Sequence, residues 1–302
     1  MPELPEVETI RRDLASCLVN KKIASVRVLA EKSALPNAAF FKNNLLGRKI
    51  IGIKRRGKLL IFVLAPQKLK PGYLLIHLKM TGQLIYLDKE NKIAGGHSAG
   101  KKNNPGQKEF SDSVGGKLPN SHTRAVFSFA GAGRLFFNDL RRFGYLKLVD
   151  EAELTGIIEN NYGPEPRSKS FSVSYLQSIL KNKKTKIKAA LLDQKLIAGL
   201  GNIYVDESLY AAGIKPLRRA GSLQPAEIKK LRQEINRIIA RAIKQRGTTF
   251  SNYVDSRGRH GNFSRFLKVY GRAGEKCFRC HHKVLKVKMA GRGTHYCAYC
   301  QK

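Results

Sequence analysis

Long apolar runs are missing from this 302-residue chain. None approaches the 18 or so residues needed to span a bilayer, and the acidic start carries no apolar, signal-like core. Negative charge is scarce as well: 22 Asp and Glu stand against 57 Lys and Arg, a formal net charge of +35. Such an imbalance points to a polyanionic partner, with an affinity that falls steeply as salt rises. With a spanning segment and a secretion signal set aside, nucleic acid is favoured over a membrane surface, and the expected setting is a reducing cytoplasm. Cysteine occurs only five times, which fits that compartment and not a disulfide-stapled secreted domain. No internal repeat is visible. What the chain does have is length and a 42% hydrophobic content, enough for a real core divided into two domains and a small appendage.

Four of the five cysteines lie at the extreme C-terminus. Cys277, Cys280, Cys297 and Cys300 form C-x2-C-x16-C-x2-C, the spacing of a tetrahedral zinc site built from two knuckles. The strand-like Val284–Met289 and the turn Gly291-Arg292-Gly293 between them describe a zinc-ribbon hairpin. A pair of disulfides is the alternative, set aside by the missing secretion signal. His281, His282 and His295 are near enough to replace a ligand, but four thiolates already close the shell. Cys17 falls in line with Val7, Ile10 and Leu14 on one helical face and reads as core.

The scarce acids are unevenly placed: Glu3, Glu6, Glu8 and Asp13 crowd the start of a strongly basic protein. They are misplaced for gripping a polyanion and make better sense as chemistry. Pro2 follows Met1, and removal of Met1 exposes a secondary amine. A neutral amine beside carboxylates can attack an aldehyde-like carbon and form an iminium. The simpler reading stays open: Pro5 starts a helix whose dipole the carboxylates favour.

Along the chain, apolar spacing at 7, 10, 14 and 18 predicts a helix to about Leu18. Short β-rich runs follow at Ser25–Leu29, Ile50–Lys54, Leu59–Leu64, Tyr73–Lys79, Gln83–Leu87, Arg124–Phe129, Arg134–Asn138 and Tyr145–Val149. Their glycine- and proline-bearing turns predict an antiparallel sandwich or barrel. Asp88–Ser121, rich in Gly, Lys, Asn and Ser, reads as a long insertion on a hairpin. After Asp150 the pattern becomes helical, and Asn161–Pro166 reads as a hinge. Lys186–Leu192 and about Ile203–Ala212 read as short helices, with Asn202 as N-cap of the second. Ile228, Leu231, Ile235, Ile238, Ile239, Ala242 and Ile243 mark one long amphipathic helix ended by Gly247. The expected division is 1–150 for the helix and β-sandwich (88–121 being the insertion), 151–166 as linker, 167–265 as helical domain and 266–302 as zinc finger.

Three further constellations suit nucleic acid. Ala198-Gly199-Leu200-Gly201-Asn202 opens a helix N-terminus beside Lys181, Lys183, Lys184, Lys186 and Lys188, a ready phosphate site, although a glycine-rich turn alone is only a turn. His77–Gly82 and Asp139–Gly144 each follow a strand and carry Met80 and Phe143 at loop positions. Such apolar side chains can wedge into a base stack, with Arg141 lining the gap; ordinary packing under a turn is the alternative for Met80. Lys58 heads an apolar strand, where it suits a phosphate or a reaction centre.

P-E-L-P-E-V-E-T, R-R-G-K-L-L, H-L-K-M-T-G, R-R-F-G, A-G-L-G-N-I-Y-V-D-E-S-L and the four-cysteine pattern occur in order over nearly the whole chain. Together they resemble the bacterial formamidopyrimidine-DNA glycosylases of the Fpg/Nei family; only Asp88–Ser121 has no counterpart. Leu4 and Val7-Glu8-Thr9 favour that branch over the endonuclease VIII branch. The resemblance implies an α+β fold: an N-terminal helix with a β-sandwich, a helix–two-turns–helix domain and a zinc finger, with DNA in the cleft between. It implies a monomeric, cytoplasmic, nucleoid-associated glycosylase and lyase acting on double-stranded DNA that contains an oxidised base. Pro2 would be the nucleophile on C1′, Glu3 the proton donor and Glu6 the group that orders the amine. Lys58 would assist β-elimination and Arg292 the δ step. Met80, Arg141 and Phe143 would fill the gap left by the flipped base. His122, Lys184 and Asn202, with Lys183 and Lys188, would contact phosphate, and the zinc would be structural. An endonuclease VIII-type enzyme for oxidised pyrimidines and a non-catalytic zinc-ribbon binder stand as the alternatives.

Overall fold

A computed structural model describes residues 1–68, 71–96, 116–248, 262–289 and 291–302. Part of the predicted insertion (97–115) and most of Thr248–Arg265, a polar, basic stretch that reads from sequence as a loop, lie outside the described residues. The chain divides into two compact units, one of Met1–Ile158 with Arg246–Asn262, the other of Glu159–Gln245 with Phe263–Lys302.

The first unit opens with α1 (Leu4–Leu18), started by Pro5 in its first turn. Val7, Ile10, Leu14 and Leu18 fall on one helical face and are all buried. Ten strands follow among the described residues: β1 (Ile23–Val28), β2 (Ala34–Leu35), β3 (Ile50–Arg56), β4 (Leu59–Leu64), β5 (Tyr73–His77), β6 (Gly82–Leu87), β7 (Lys92–Gly96), β8 (Thr123–Phe129), β9 (Arg134–Asp139) and β10 (Tyr145–Val149). They form two five-stranded sheets, ordered β1-β8-β9-β6-β7 and β2-β10-β5-β4-β3, antiparallel except where β2 meets β10. Alternate residues of the two sheets, such as Leu60, Phe62, Leu74 and Ile76 on one and Leu84, Tyr86, Phe127 and Phe137 on the other, join the α1 face in a single core. Each such side chain contributes about 1.5–3 kcal/mol by leaving water.

Several short elements escaped the sequence reading, α2 and β7 among them. α2 (Ala38–Leu45), capped by Asn37 through the Phe40 amide, buries only Phe41 and Leu45 and is too short to show a helical period. β7 falls inside the predicted insertion. Its Ile93 and Ala94 are buried and it pairs with β6, but Ile-Ala-Gly-Gly offers no alternation to read.

Most of α3 (Glu151–Asn161), which forms within the predicted linker, belongs to the first unit; the second takes its last turn and then contains α4 (Val173–Leu180), α5 (Ile187–Leu192), α6 (Asn202–Ala212) and α7 (Pro225–Lys244). The apolar stripe of α7 packs on α4 and α6. Its C-cap is Gln245, two residues earlier than the predicted Gly247. A hairpin of β11 (Leu285–Met289) and β12 (Arg292–Tyr296) closes the chain. No described helix is long and apolar enough to cross a membrane.

Glu8 and Asp13 serve structure, which corrects the reading of all four early acids as chemistry. The Glu8 carboxylate accepts hydrogen bonds from Arg11 (2.8 Å), Arg12 (2.7 Å) and Arg55 of β3 (3.1 Å). Burial alone would raise its pKa, but these three guanidiniums outweigh it and hold the group at about 2. Asp13 pairs with Arg246 at 2.6 Å. A depressed carboxylate stabilises the fold above its unfolded pKa, and that stability is lost as pH falls through its folded value. Urea midpoints of the wild type should therefore drop from about pH 4.5 towards pH 2. Glu8→Gln should start lower at pH 7 and fall less across that window; parallel curves for the two proteins would contradict the role.

Candidate active site and nucleic-acid contacts

Pro2 and Glu3 are buried at the head of α1. Glu3 is the N-cap, and Glu6 Oε2 accepts its amide at 2.9 Å while the Glu3 carboxylate turns back to the Glu6 amide. The other Glu6 oxygen accepts from Thr248 N (2.7 Å) and Thr248 Oγ1 (3.0 Å). Gly247 makes that approach possible: its φ is +81°, and a Cβ there would sit 2.6 Å from Glu6 Oε1. Thus Glu6 ties the chain start to a segment more than 240 residues away.

Lys58 lies in the tight β3–β4 turn, where only 5% of it is exposed. Arg55 holds that turn from inside, donating to Gly57 O at 2.8 Å while bonded to Glu8 of α1. The terminal ammonium of Met1 sits one residue upstream of the Pro2 nitrogen. Burial pushes its pKa below the ordinary value, Lys58 adds to that, and Glu3 and Glu6 oppose it. The charges of Glu3, Glu6 and Lys58 therefore converge on the chain start.

His77 joins this group and was not singled out from sequence. It ends β5 opposite Leu59, the residue after Lys58. Burial, reinforced by Lys79 and Lys58, pushes its imidazole down to about 3, so it is neutral at pH 7. Its Nδ1 accepts from the Lys79 amide at 3.0 Å, which leaves the proton on Nε2. The signal available was a histidine at the end of an apolar strand paired to the lysine turn, and pairing is invisible in sequence.

The two loops carrying the predicted wedge meet at Asp139, a fully buried carboxylate. It accepts from Thr81 Oγ1, from Gly144 N at 2.6 Å and from Arg141 N at 3.2 Å, and Arg141 N also reaches Thr81 Oγ1 at 2.9 Å. Two residues beside the loop tips, Lys79 (φ +47°) and Arg142 (φ +59°), are held in the left-handed region, at a cost of about 1–2 kcal/mol each. The result pushes Met80 and Phe143 into solvent, 43% and 52% exposed, with Arg141 touching both: Nη1 to Met80 Sδ at 3.4 Å and its guanidinium 4.7 Å from the Phe143 ring centre. Leu140, also exposed, belongs to the same cluster and was missed. The backbone carbonyl of His122 accepts the Asp139 amide at 2.8 Å, placing this half-buried histidine beside the cluster.

In the second unit, Lys184 is exposed and Lys183 half-buried in the turn before α5. Lys188 requires a correction. It is fully buried and its ammonium lies 2.6 Å from the equally buried Asp206, so it does not face a phosphate. A solvated lysine could not be told from a buried one in a run of five. Asn202 is the first residue of α6, and Gly201 takes the cap position predicted for it. Its amide donates to Gly293 O in the finger hairpin at 2.9 Å, and Lys188 Nζ reaches the same carbonyl at 3.2 Å. Asp206 Oδ2 accepts from His295 N at 2.9 Å. This grip fixes the hairpin whose exposed Arg292 adjoins Gly293.

The four cysteine sulfurs lie within 4.8 Å of one another, with Cys277–Cys300 at 3.9 Å and Cys280–Cys297 at 3.4 Å. Tetrahedral zinc with bonds of about 2.3 Å requires sulfur separations of about 3.8 Å. The donor set fits one zinc ion, and four thiolates leave no open position, so the ion is structural.

Asp206→Ala should leave the Lys188 ammonium buried without its partner and cost about 3–5 kcal/mol in unfolding free energy. The double variant Lys188→Met with Asp206→Leu should regain most of that. Thermal unfolding and zinc release to a chelator measure both; a single variant as stable as wild type would refute the pair's structural role.

Family models match the chain in three successive stretches: the formamidopyrimidine-DNA glycosylase N-terminal domain over residues 1–146, its H2TH domain over 162–253, and the zinc finger found in FPG and IleRS over 274–302. The formamidopyrimidine-DNA glycosylase of Carboxydothermus hydrogenoformans is 39% identical over the full length of both chains. That of Enterococcus faecalis is 39% identical over all of this chain and 98% of its own. Among solved structures, Lactococcus lactis Fpg in complex with DNA containing an abasic site superposes with a TM-score of 0.83, at 35% identity over 99% of each chain. A complex of MutM with DNA containing carbocyclic 8-oxo-G gives 0.81, at 35% identity over both full chains.

Proposed function

This chain belongs to the formamidopyrimidine-DNA glycosylase family, and we propose that it excises oxidised purines from double-stranded DNA through Pro2 once Met1 is removed. It is a DNA glycosylase of base excision repair with a structural zinc finger. The observation that carries the role of Pro2 is the convergence of Glu3, Glu6 and Lys58 on the buried chain start. A buried terminal amine is neutral at lower pH than a solvated one, and only the neutral form attacks.

In this reading the Pro2 nitrogen bonds to C1′ as the bond to the damaged base breaks, and Glu3 supplies a proton to the sugar. The resulting iminium acidifies the C2′ proton, whose loss expels the 3′ phosphate. Lys58 and neutral His77, through its Nε2 proton, hold the phosphate beside the sugar. Met80, Arg141 and Phe143 enter the stack where the base has left it, the apolar side chains replacing lost stacking and Arg141 facing the orphaned partner base. His122, Lys183, Lys184, Asn202 and Arg292 grip phosphates elsewhere. The zinc holds the knuckles that shape the Arg292 hairpin. The enzyme works as a monomer in the cytoplasm, on the nucleoid.

Borohydride trapping on a duplex with one 8-oxoguanine tests the nucleophile. Fully processed protein should form a covalent adduct. Protein that retains Met1 should trap about a hundredfold less or worse, the scale on which loss of one reacting group acts, with duplex affinity little changed. Undiminished trapping with a blocked N-terminus would sink the assignment. Arg292→Ala should lower the slope of log affinity against log salt by about 0.9, the loss of one phosphate contact, and an unchanged slope would remove Arg292 from the interface.

A further inference from the structure

At the end of α6 opposite Asn202, about 12 Å along the helix, the second unit holds a cavity of about 180 Å³ that the repair chemistry does not use. Its floor is apolar: Ala211 of α6, Ile238 of α7, Phe263 and Phe266, with Phe278 of the first zinc knuckle forming a wall. Phe278 is 57% exposed, a large apolar side chain standing open at the surface. Arg241 and Lys268 also line the cavity, and neither forms an ion pair with an acid among the described residues. Glu207, the one acid among the described lining residues, is already engaged: its carboxylate accepts the backbone amides of Lys268, Val269 and Tyr270 at 2.8–3.0 Å.

We propose that this cavity is a docking socket for an acidic peptide segment of a partner protein, with an aromatic side chain of that segment as its anchor. The charge complementarity is direct: carboxylates of the segment meet Arg241 and Lys268 while the ring enters the apolar floor. A nucleobase suits the site less well, because cationic side chains already lie over the rings it would stack on. The Arg241 guanidinium lies 3.9 Å from the Phe266 ring centre, and Lys268 and Arg272 lie 4.3 and 3.8 Å from that of Phe278.

The test uses zinc-loaded, full-length protein and a fluorescein-labelled peptide with four aspartates around one phenylalanine. A peptide with alanine in place of phenylalanine controls for attraction to a chain of net charge +35. Fluorescence anisotropy in 150 mM salt should show the phenylalanine peptide binding at least tenfold more tightly. Ala211→Phe, which fills the socket without changing charge, should abolish that difference while zinc content and duplex affinity persist. A third peptide carrying a benzophenone on the ring should photo-crosslink to Ile238, Phe266 or Phe278, a readout that needs no variant. Equal affinity for the two peptides, or crosslinks confined to other surfaces, would overturn the proposal. So would an Ala211→Phe protein that loses affinity for single-stranded oligothymidylate but not for the peptide, since the socket would then belong to nucleic acid.

Discussion

One carboxylate organises the first unit of this molecule, which holds the proposed nucleophile. Glu8 is held by three guanidiniums, two from its own helix and one from β3, and the β3 guanidinium passes the constraint on to the carbonyl of Gly57. Lys58 follows Gly57 directly, so the turn that bears it is fixed to the helix that begins at Pro2 and Glu3. α1 already packs on β3 and β4 through the shared core, and the Glu8 link adds a polar constraint at the turn itself, where a reaction tolerates little movement. A buried ion pair of this kind costs desolvation, and its return is placement more than stability.

A second buried pair has the same logic in the other unit. Lys188 and Asp206 are fully enclosed, and together with Asn202 they grip the carbonyl and amide groups of the finger hairpin. The zinc shapes the knuckles, but the first turns of α6 decide where Arg292 stands. In both units a charged side chain to which the sequence lent a functional role, chemistry for Glu8 and phosphate contact for Lys188, is spent on holding the backbone.

The sequence made the architecture legible wherever a period was long enough to read. α1, α7 and most strands follow from apolar spacing, and the zinc site from cysteine spacing alone. Where a segment was short, as in α2 and β7, too few residues were buried to leave a pattern. At the candidate site, Pro2, Glu3 and Lys58 could be picked out as types suited to the chemistry, and six motifs in register suggested the roles proposed for them. Burial was not legible: Lys188 looked no different from Lys184, and Glu8 no different from Glu6. Nor was strand pairing, which is what brings His77 beside Lys58 and joins Thr81 to Asp139.

The first unit is discontinuous, because Arg246 and Thr248 return to Asp13 and Glu6 after the whole helical unit has been threaded out. A ribosome must therefore make nearly 250 residues before the head of α1 receives its last partners. Until then the nascent chain carries its sandwich with an unfinished amino end. The order of synthesis thus delays completion of that end until the helical unit has emerged, and a fragment stopped at the end of the sandwich would never acquire it.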